Sequence, residues 1–393
     1  MKATITSALR YAFGAAILSC GTFTLSTPVS AQTIPVHDHV VIVMMENHNY
    51  SDIIGDLTHN PYINGLATDS MGALFTQSFA IEHPSQPNYL DLFSGNHQGM
   101  TSDNVPSSLF TTDNLRSELN TSSHTFCGYS ESLTPTGSNA ATSGGSGGYA
   151  RKHAPWTNWM GSSSHAIPTS EHKIYPSEFP SNYANLPTVS FVIPNLVDDM
   201  HNGTTPSNQV AGDNWLQSNM SSYIAWAKTH NSLLILTWDE DDNTGGNNQV
   251  ITIFIGQNVK KGNYSETINH FCVLRTLEDM YSTTGYAGAS STACSITDCW
   301  KVLATGIETP SAPSGHVSVM PNPFSSETLL KTDTEMHNAG LKLYNSLGQE
   351  VAHTEGINGF ETTLGRNGLA SGIYYYSLIQ DKSELARGKV VIQ

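Results

Sequence analysis

Along most of the chain the apolar residues fall in short unbroken runs, not in alternation with polar ones. His39–Met45 (HVVIVMM) is a continuous, largely β-branched run, the pattern of a strand buried on both faces. Ser190–Ile193, Leu233–Trp238 and Val250–Ile255 repeat it. Between these runs, Asp213–His230 has helical spacing behind an aspartate placed to cap it, and Glu266–Tyr281 is a second helical stretch. Buried strands separated by helices predict an α/β fold over residues 32–306, a mostly parallel sheet flanked by helices.

The pattern changes at Ile307–Gly315 (IETPSAPSG), whose Pro and Ser content reads as a linker. Beyond it, Val317–Met320, Leu341–Tyr344, Gly372–Leu378 and Lys389–Ile392 are short alternating strands between turns. They predict a small all-β sandwich over residues 316–393. At the other end, Met1–Ala31 has Lys2 and Arg10, an apolar run through Tyr11–Leu25 and small residues up to Ala31. That is the form of a secretory signal peptide cut after Ala31, and its apolar run is shorter than the roughly 20 residues of a membrane span. Cys20 as a lipid attachment site fits less well, because Leu18 departs from that pattern.

Charge narrows the partners. The chain has 393 residues, 17 Lys+Arg against 33 Asp+Glu and a net charge of -16, which argues against nucleic acid or an anionic membrane as its main partner. Export makes disulfides permissible among Cys127, Cys272, Cys294 and Cys299. Four cysteines allow three connectivities; Cys294 and Cys299, close together in a Ser/Thr-rich loop, are the easiest pair.

Two acidic groups sit directly behind buried strands, where ligands bind in open α/β sheets. One is Glu46-Asn47 after His39–Met45; the other is Asp239-Glu240-Asp241-Asp242 after Leu233–Trp238. Either alone is an ordinary loop start, but successive carboxylates repel one another unless a cation or water separates them. Ligands that are all oxygen select a hard divalent ion such as Ca²⁺, Mg²⁺ or Mn²⁺.

A third candidate is Glu82–Gly95 (EHPSQPNYLDLFSG). Pro87 suits a first helical turn and so puts Ser85 at the helix start, facing free N–H groups and the positive end of the dipole. A serine there is ordinarily a cap, but a neighbouring metal makes the same hydroxyl a nucleophile. Ser94, deeper in that helix, is a weaker candidate. Of the histidines, His201 lies beside two acids, His153 follows the basic pair Arg151-Lys152, and His270 opens a helix. Arg151 and Lys152 offer positive charge for an anionic substrate.

Val40–Ile54, Asn60-Pro61-Tyr62, Glu82–Gly95, Tyr149–His153, Ile193–His201, Thr237–Asp242 and His270–Asp279 occur in an order that resembles the bacterial acid phosphatase and phospholipase C phosphoesterase family, of alkaline-phosphatase-like fold. The likeness covers nearly all of Val36–Tyr286. It implies that Glu46, Asn47, Asp239 and Glu240 bind metal, that Ser85 is the nucleophile, and that Asn88, His153 and His201 contact phosphate, with His201 the general acid. The Asp-His metal pairs of two-zinc alkaline phosphatases are not evident. Pro321–Phe324, Leu343–Gln349, Leu369–Tyr374 and Gly388–Ile392 resemble the type IX secretion sorting domain of Bacteroidetes. This implies export through the periplasm to the cell surface or beyond, with the type IX machinery as partner.

The expectation is a secreted, metal-dependent phosphoesterase that hydrolyses small-molecule or lipid phosphate monoesters through a phosphoseryl intermediate. The rivals are a phospholipase C-type phosphodiesterase and a non-catalytic surface binding protein of the same fold.

Overall fold

The computed structural model describes residues 34–244, 246–301, 317–381 and 383–393. The expected signal peptide (1–31) and linker (307–315) lie outside the described residues. The contact pattern divides the chain into two units, Met1–Val302 and Leu303–Gln393.

The first unit is built on an eight-stranded sheet. Its strands in chain order are His39–Met45 (β1), Gly72–Phe75 (β2), Phe126–Glu131 (β3), His172–Tyr175 (β4), Val189–Ile193 (β5), Ser232–Trp238 (β6), Thr252–Gly256 (β7) and Gly262–Tyr264 (β8). They lie in the order β8-β2-β7-β6-β1-β5-β3-β4. All neighbours pair in parallel except β7, which runs antiparallel to both β2 and β6. The unbroken run in β1 has the cause expected of it. Val40, Ile42 and Met44 point into one apolar cluster and Val41, Val43 and Met45 into another, so both faces are covered.

Helices supply the covers: Pro61–Ala67 (α1), Ser85–Ser94 (α2), Leu115–Thr121 (α3), Ser207–Ala227 (α4) and His270–Met280 (α5). Tyr89, Leu90, Leu92 and Phe93 of α2 pack on one face with α5, while Trp215, Leu216 and Met220 of α4 pack on the other with Ile63 and Leu66 of α1. All ten residues of α2 are buried, so it shows no apolar stripe in the sequence.

Several boundaries differ from expectation for local reasons. Helix α4 begins at Ser207, and Asp213 lies inside it. Its carboxylate accepts the backbone N–H groups of Tyr62 (3.1 Å) and Ile63 (2.8 Å), so it caps α1, not its own helix. Helix α5 begins only at His270, where the Asn269 side chain accepts the Cys272 N–H. The disulfide joins Cys272 to Cys294, in place of the 294–299 pair that sequence proximity favoured. Cys127 and Cys299 are buried and free, and Cys299 is part of the core.

Helix α2 ends in a close backbone contact. Gly95 closes it with φ 63°, and its carbonyl accepts the N–H of Ala289 at 2.8 Å. A Cβ on Gly95 would stand 2.0 Å from the Ala287 carbonyl oxygen, and one on Gly288 would stand 2.4 Å from the Gly95 oxygen. Only glycine permits both the turn and the approach.

The second unit is all-β: Val317–Met320 (β9), Glu327–Tyr344 (β10), Glu350–Gly365 (β11), Gly372–Gln380 (β12) and Ser383–Ile392 (β13). The strands are joined in one antiparallel sheet in which β10 pairs with β9, β11 and β12, and β12 with β13. Register shifts interrupt the β10–β11 ladder, and the sheet curls over a core of Leu330, Met336, Leu341, Leu378 and Val390. Among the described residues, no helix is long and apolar enough to cross a membrane.

Candidate active site

Strands β6, β1 and β5 are adjacent and parallel, so the residues that follow them emerge side by side. The register pairs Met45 with Trp238, which sets Glu46 beside Asp239. The backbone continues that order: Asp239 N–H donates to the Met45 carbonyl (3.0 Å) and Glu46 N–H to the Asp199 carbonyl beyond β5 (2.8 Å). Asn47, at φ 40°, turns back so that its N–H reaches Asp239 Oδ1 (3.2 Å) and its Nδ2 reaches Glu240 Oε1 (2.8 Å).

Ser85 is the first residue of α2 and makes no capping bond. Its hydroxyl lies 2.9 Å from Glu46 Oε2 and 3.1 Å from Glu240 Oε1. Asp239 Oδ2 is buried without a hydrogen-bond partner. Burial, then the charges of Glu46 and Glu240, push the Asp239 carboxyl well above the usual carboxylate range. Burial also raises Glu240, against the opposing pull of His83. Three crowded carboxyls with an orphaned oxygen form a donor set that a hard divalent cation would satisfy.

His153 is enclosed between two acids. Its Nε2 lies 2.9 Å from Glu46 Oε1 and its Nδ1 3.2 Å from Asp199 Oδ2, while its ring stacks on Tyr89 at 4.9 Å. Burial alone would lower the imidazole, but the Glu46 charge and the Asp199 bond bring it up to about 9. Burial would likewise raise Glu46, and the His153 charge overcomes it, holding Glu46 at about 2. Ligand atoms of Glu46, His153 and Asp199 lie within 4.8 Å of one another. Both imidazole nitrogens face carboxylates, so the trio is ion-paired as it stands.

The other expected residues fall in distinct places. His201 is exposed and lines an open pocket of about 410 Å³ with Asn47, His83, Glu240 and Asp241. Asn88 is fully buried and faces backbone: its Oδ1 accepts from Ile81 and Glu82, and its Nδ2 donates to the Glu82 carbonyl. Ser94 Oγ bonds to the carbonyls of Leu90 and Asn96, away from the site. Arg151 is buried against Thr157 and Asn158, whereas the Lys152 Nζ lies 3.2 Å from His201 Nε2.

The residues that sequence reasoning passed over are His83, Asp199 and Asp103. His83 Nδ1 bonds to Glu240 Oε2, and its Nε2 lies 3.6 Å from Asp241 Oδ1. Its place two residues before Ser85 was the available signal. Asp199 could be found only through its neighbour His201, and Asp103 had no local signal.

A model described as the phosphoesterase family matches residues 60–284. A phosphatidylinositol-3-phosphatase of Mycobacterium tuberculosis is 45% identical over 277 residues, 69% of this chain and 86% of that protein. The chain belongs to the phosphoesterase family. The matched span holds Ser85, Asn88, His153, His201, Asp239 and Glu240 and begins after Asn47. An acid phosphatase of Aspergillus fumigatus is 28% identical over 251 residues, and the phosphoesterase spans 53% of that protein's length and aligns over 60% of its own. A solved alkaline phosphatase superfamily protein from Vibrio parahaemolyticus is similar with a TM-score of 0.48 at 11% identity, covering 83% of this chain and 86% of the other. Residues 318–393 match the secretion system C-terminal sorting domain. The phosphoesterase is thus a hydrolase of phosphoric ester bonds that carries an export signal in its second unit.

Proposed function

We propose that the protein is an exported phosphomonoesterase that works through a phosphoseryl intermediate on Ser85. One observation carries the reading: the Ser85 hydroxyl, at the start of α2, is directed at buried carboxylates that follow two neighbouring strands. Glu46, Asn47, Asp239 and Glu240 would hold a divalent cation, Ca²⁺, Mg²⁺ or Mn²⁺. Bound there, the cation lowers the pKa of the adjacent hydroxyl and offsets charge on the phosphoryl oxygens.

Ser85 Oγ attacks phosphorus as its proton passes to a carboxylate at hydrogen-bond distance, Glu46 Oε2 being nearest at 2.9 Å. His153 keeps Glu46 ionised and oriented for that step. His201, exposed on the pocket, protonates the departing ester oxygen, and water then cleaves the phosphoserine. The N-terminus of α2 adds its dipole to the stabilisation of phosphoryl charge. Asn88 acts on the phosphate only through the backbone it positions.

The relative from M. tuberculosis is named for removing a monoester phosphate from a lipid, which supports a monoester substrate, small-molecule or lipid. The sorting domain supports passage through the periplasm and recognition by type IX machinery. The test is hydrolysis of 4-nitrophenyl phosphate against bis(4-nitrophenyl) phosphate, each with chelator and with added Mg²⁺, Ca²⁺ or Mn²⁺. A monoesterase that chelator silences and metal restores is expected. Preference for the diester, or activity indifferent to chelator, refutes the reading.

A further inference from the structure

The contacts around the pocket close into a ring. From Ser85 Oγ it passes to Glu46 (2.9 Å), His153 (2.9 Å) and Asp199 (3.2 Å). Asp199 Oδ1 accepts the His201 N–H (2.8 Å), and His201 Nε2 meets the Lys152 ammonium (3.2 Å). Lys152 donates to Asp103 Oδ2 (2.9 Å), and Asp103 Oδ1 accepts the N–H of Gln86 (3.0 Å), the residue after Ser85. Two further bonds, from Gln86 Nε2 to the carbonyls of Ser102 and Asn104 (both 2.8 Å), fix the Asp103 segment against the start of α2.

We propose that Lys152, positioned by Asp103, reads the second negative charge of the substrate phosphoryl group and so selects monoesters over diesters. This rests on the phosphomonoesterase reading. An ammonium has three donors. One is directed at Asp103, a second meets His201 Nε2 once that imidazole has given its proton to the leaving oxygen, and the third has no acceptor among the described residues. The Lys152 side chain is only 17% exposed, and its ammonium lies against His201, which lines the pocket, so it borders the site and is not out in solvent. A phosphate monoester near neutral pH carries close to two charges on three terminal oxygens. A diester has one charge and puts an uncharged ester oxygen in place of the third. Arg151, the neighbouring cation, is occupied by Thr157 and Asn158 and takes no part.

Asp103 is a positioning residue. Its two oxygens tie the cation to the helix that carries the nucleophile, setting the distance over which one phosphoryl group must meet both.

The test is Lys152→Met in the full-length exported form, checked by thermal melt, with hydrolysis of 4-nitrophenyl phosphate at pH 7.5 in excess Mg²⁺. Orthophosphate and bis(4-nitrophenyl) phosphate serve as competitors. Loss of one charge-assisted contact predicts that the orthophosphate Ki rises about 30-fold while the diester Ki moves less than about threefold. Equal weakening of both, or of neither, overturns the proposal. Asp103→Asn leaves Lys152 charged but unanchored, so KM for the monoester should rise about tenfold with kcat within about twofold. A fall in kcat with unchanged KM would make Asp103 merely structural and overturn its role. If Lys152→Met does not fold, Lys152→Arg replaces it: orthophosphate Ki should stay within about fivefold of wild type because the charge is kept, and a larger rise overturns the proposal. A wild type that hydrolyses no monoester refutes the phosphatase reading itself, a result distinct from any of these.

Discussion

Ser85 and Glu46, 39 positions apart in the chain, meet at 2.9 Å between Oγ and Oε2 with both side chains buried. The contact joins the start of α2 to the end of β1, and the hydroxyl makes no bond to its own helix.

Because Ser85 does not cap α2, Ser85→Ala removes no helix-terminal bond. The expected outcome is loss of turnover by at least about a thousandfold with a stability change of about 1 kcal/mol, from the lost donor to the carboxylates. Steady-state kinetics beside a denaturant melt check both. Substantial residual activity would move the nucleophile elsewhere, although Ser94, bonded within its helix end, is poorly placed to take over.

Asp239→Asn and Glu46→Gln should differ once the metal is removed. Asp239 is repelled by Glu46 and Glu240 and has an unpartnered oxygen, so its amide variant in chelator should be at least as stable as wild type. Glu46 holds a buried His153, and its amide variant should lose about 2 kcal/mol or more. Added Mg²⁺ or Ca²⁺ should raise wild-type stability by about 3 kcal/mol at a hundredfold excess over Kd, and raise both variants less. Melts with and without chelator decide it; a wild type whose melt ignores the metal removes the cation from the site.

Asp91 offers a pH test away from the metal. Burial, then the Glu82 charge, pushes its carboxyl up to about 8 in the fold. Between about pH 4 and 8 the unfolded carboxyl is ionised while the folded one holds its proton, so its cost to stability grows as pH rises and levels off above about 8. Asp91→Asn should therefore stabilise the protein by about 1–3 kcal/mol at pH 7.5, with the gain vanishing near pH 4. A gain that is flat with pH, or a loss, would mean that Asp91 is ionised in the fold.

Removing Ile307–Gln393 should leave kcat and KM within about twofold and stop export in the native host. The first unit holds every residue proposed for catalysis, and the second has its own apolar core. A truncated protein that folds with a reduced kcat would count against two independent modules.

The parts of the site that follow buried strands were legible. An apolar run such as His39–Met45 fixes where a strand ends, and parallel neighbours put their ends together, so Glu46 and Asp239 could be named without coordinates. Residues brought in by loops were not legible. Asp103 reaches Gln86 and Lys152 from a segment with no periodic pattern, and His83 takes its role from a contact 157 positions away. Asp213 misled for a related reason: an aspartate before an apolar helix reads as that helix's cap, yet its oxygens serve the amides of Tyr62 and Ile63. Helix α2 left no amphipathic trace because it is buried on all sides, and only the Pro87 signal marked its start. The disulfide followed the packing of α5 against the loop that holds Cys294, which proximity in sequence does not report.

The crossing of Gly95 and Gly288 separates what can be altered in this enzyme from what cannot. The nucleophile helix meets the loop at its back through main-chain atoms, too close for a Cβ on either glycine. The pocket rim, by contrast, consists of side chains on loops. Libraries that vary Asp103 and Lys152, which lie outside the groups proposed for the chemical steps, therefore sample new substrate preferences with the nucleophile left in place. Gly95→Ala or Gly288→Ala would instead shift the reacting oxygen itself, and would lower turnover on every substrate alike.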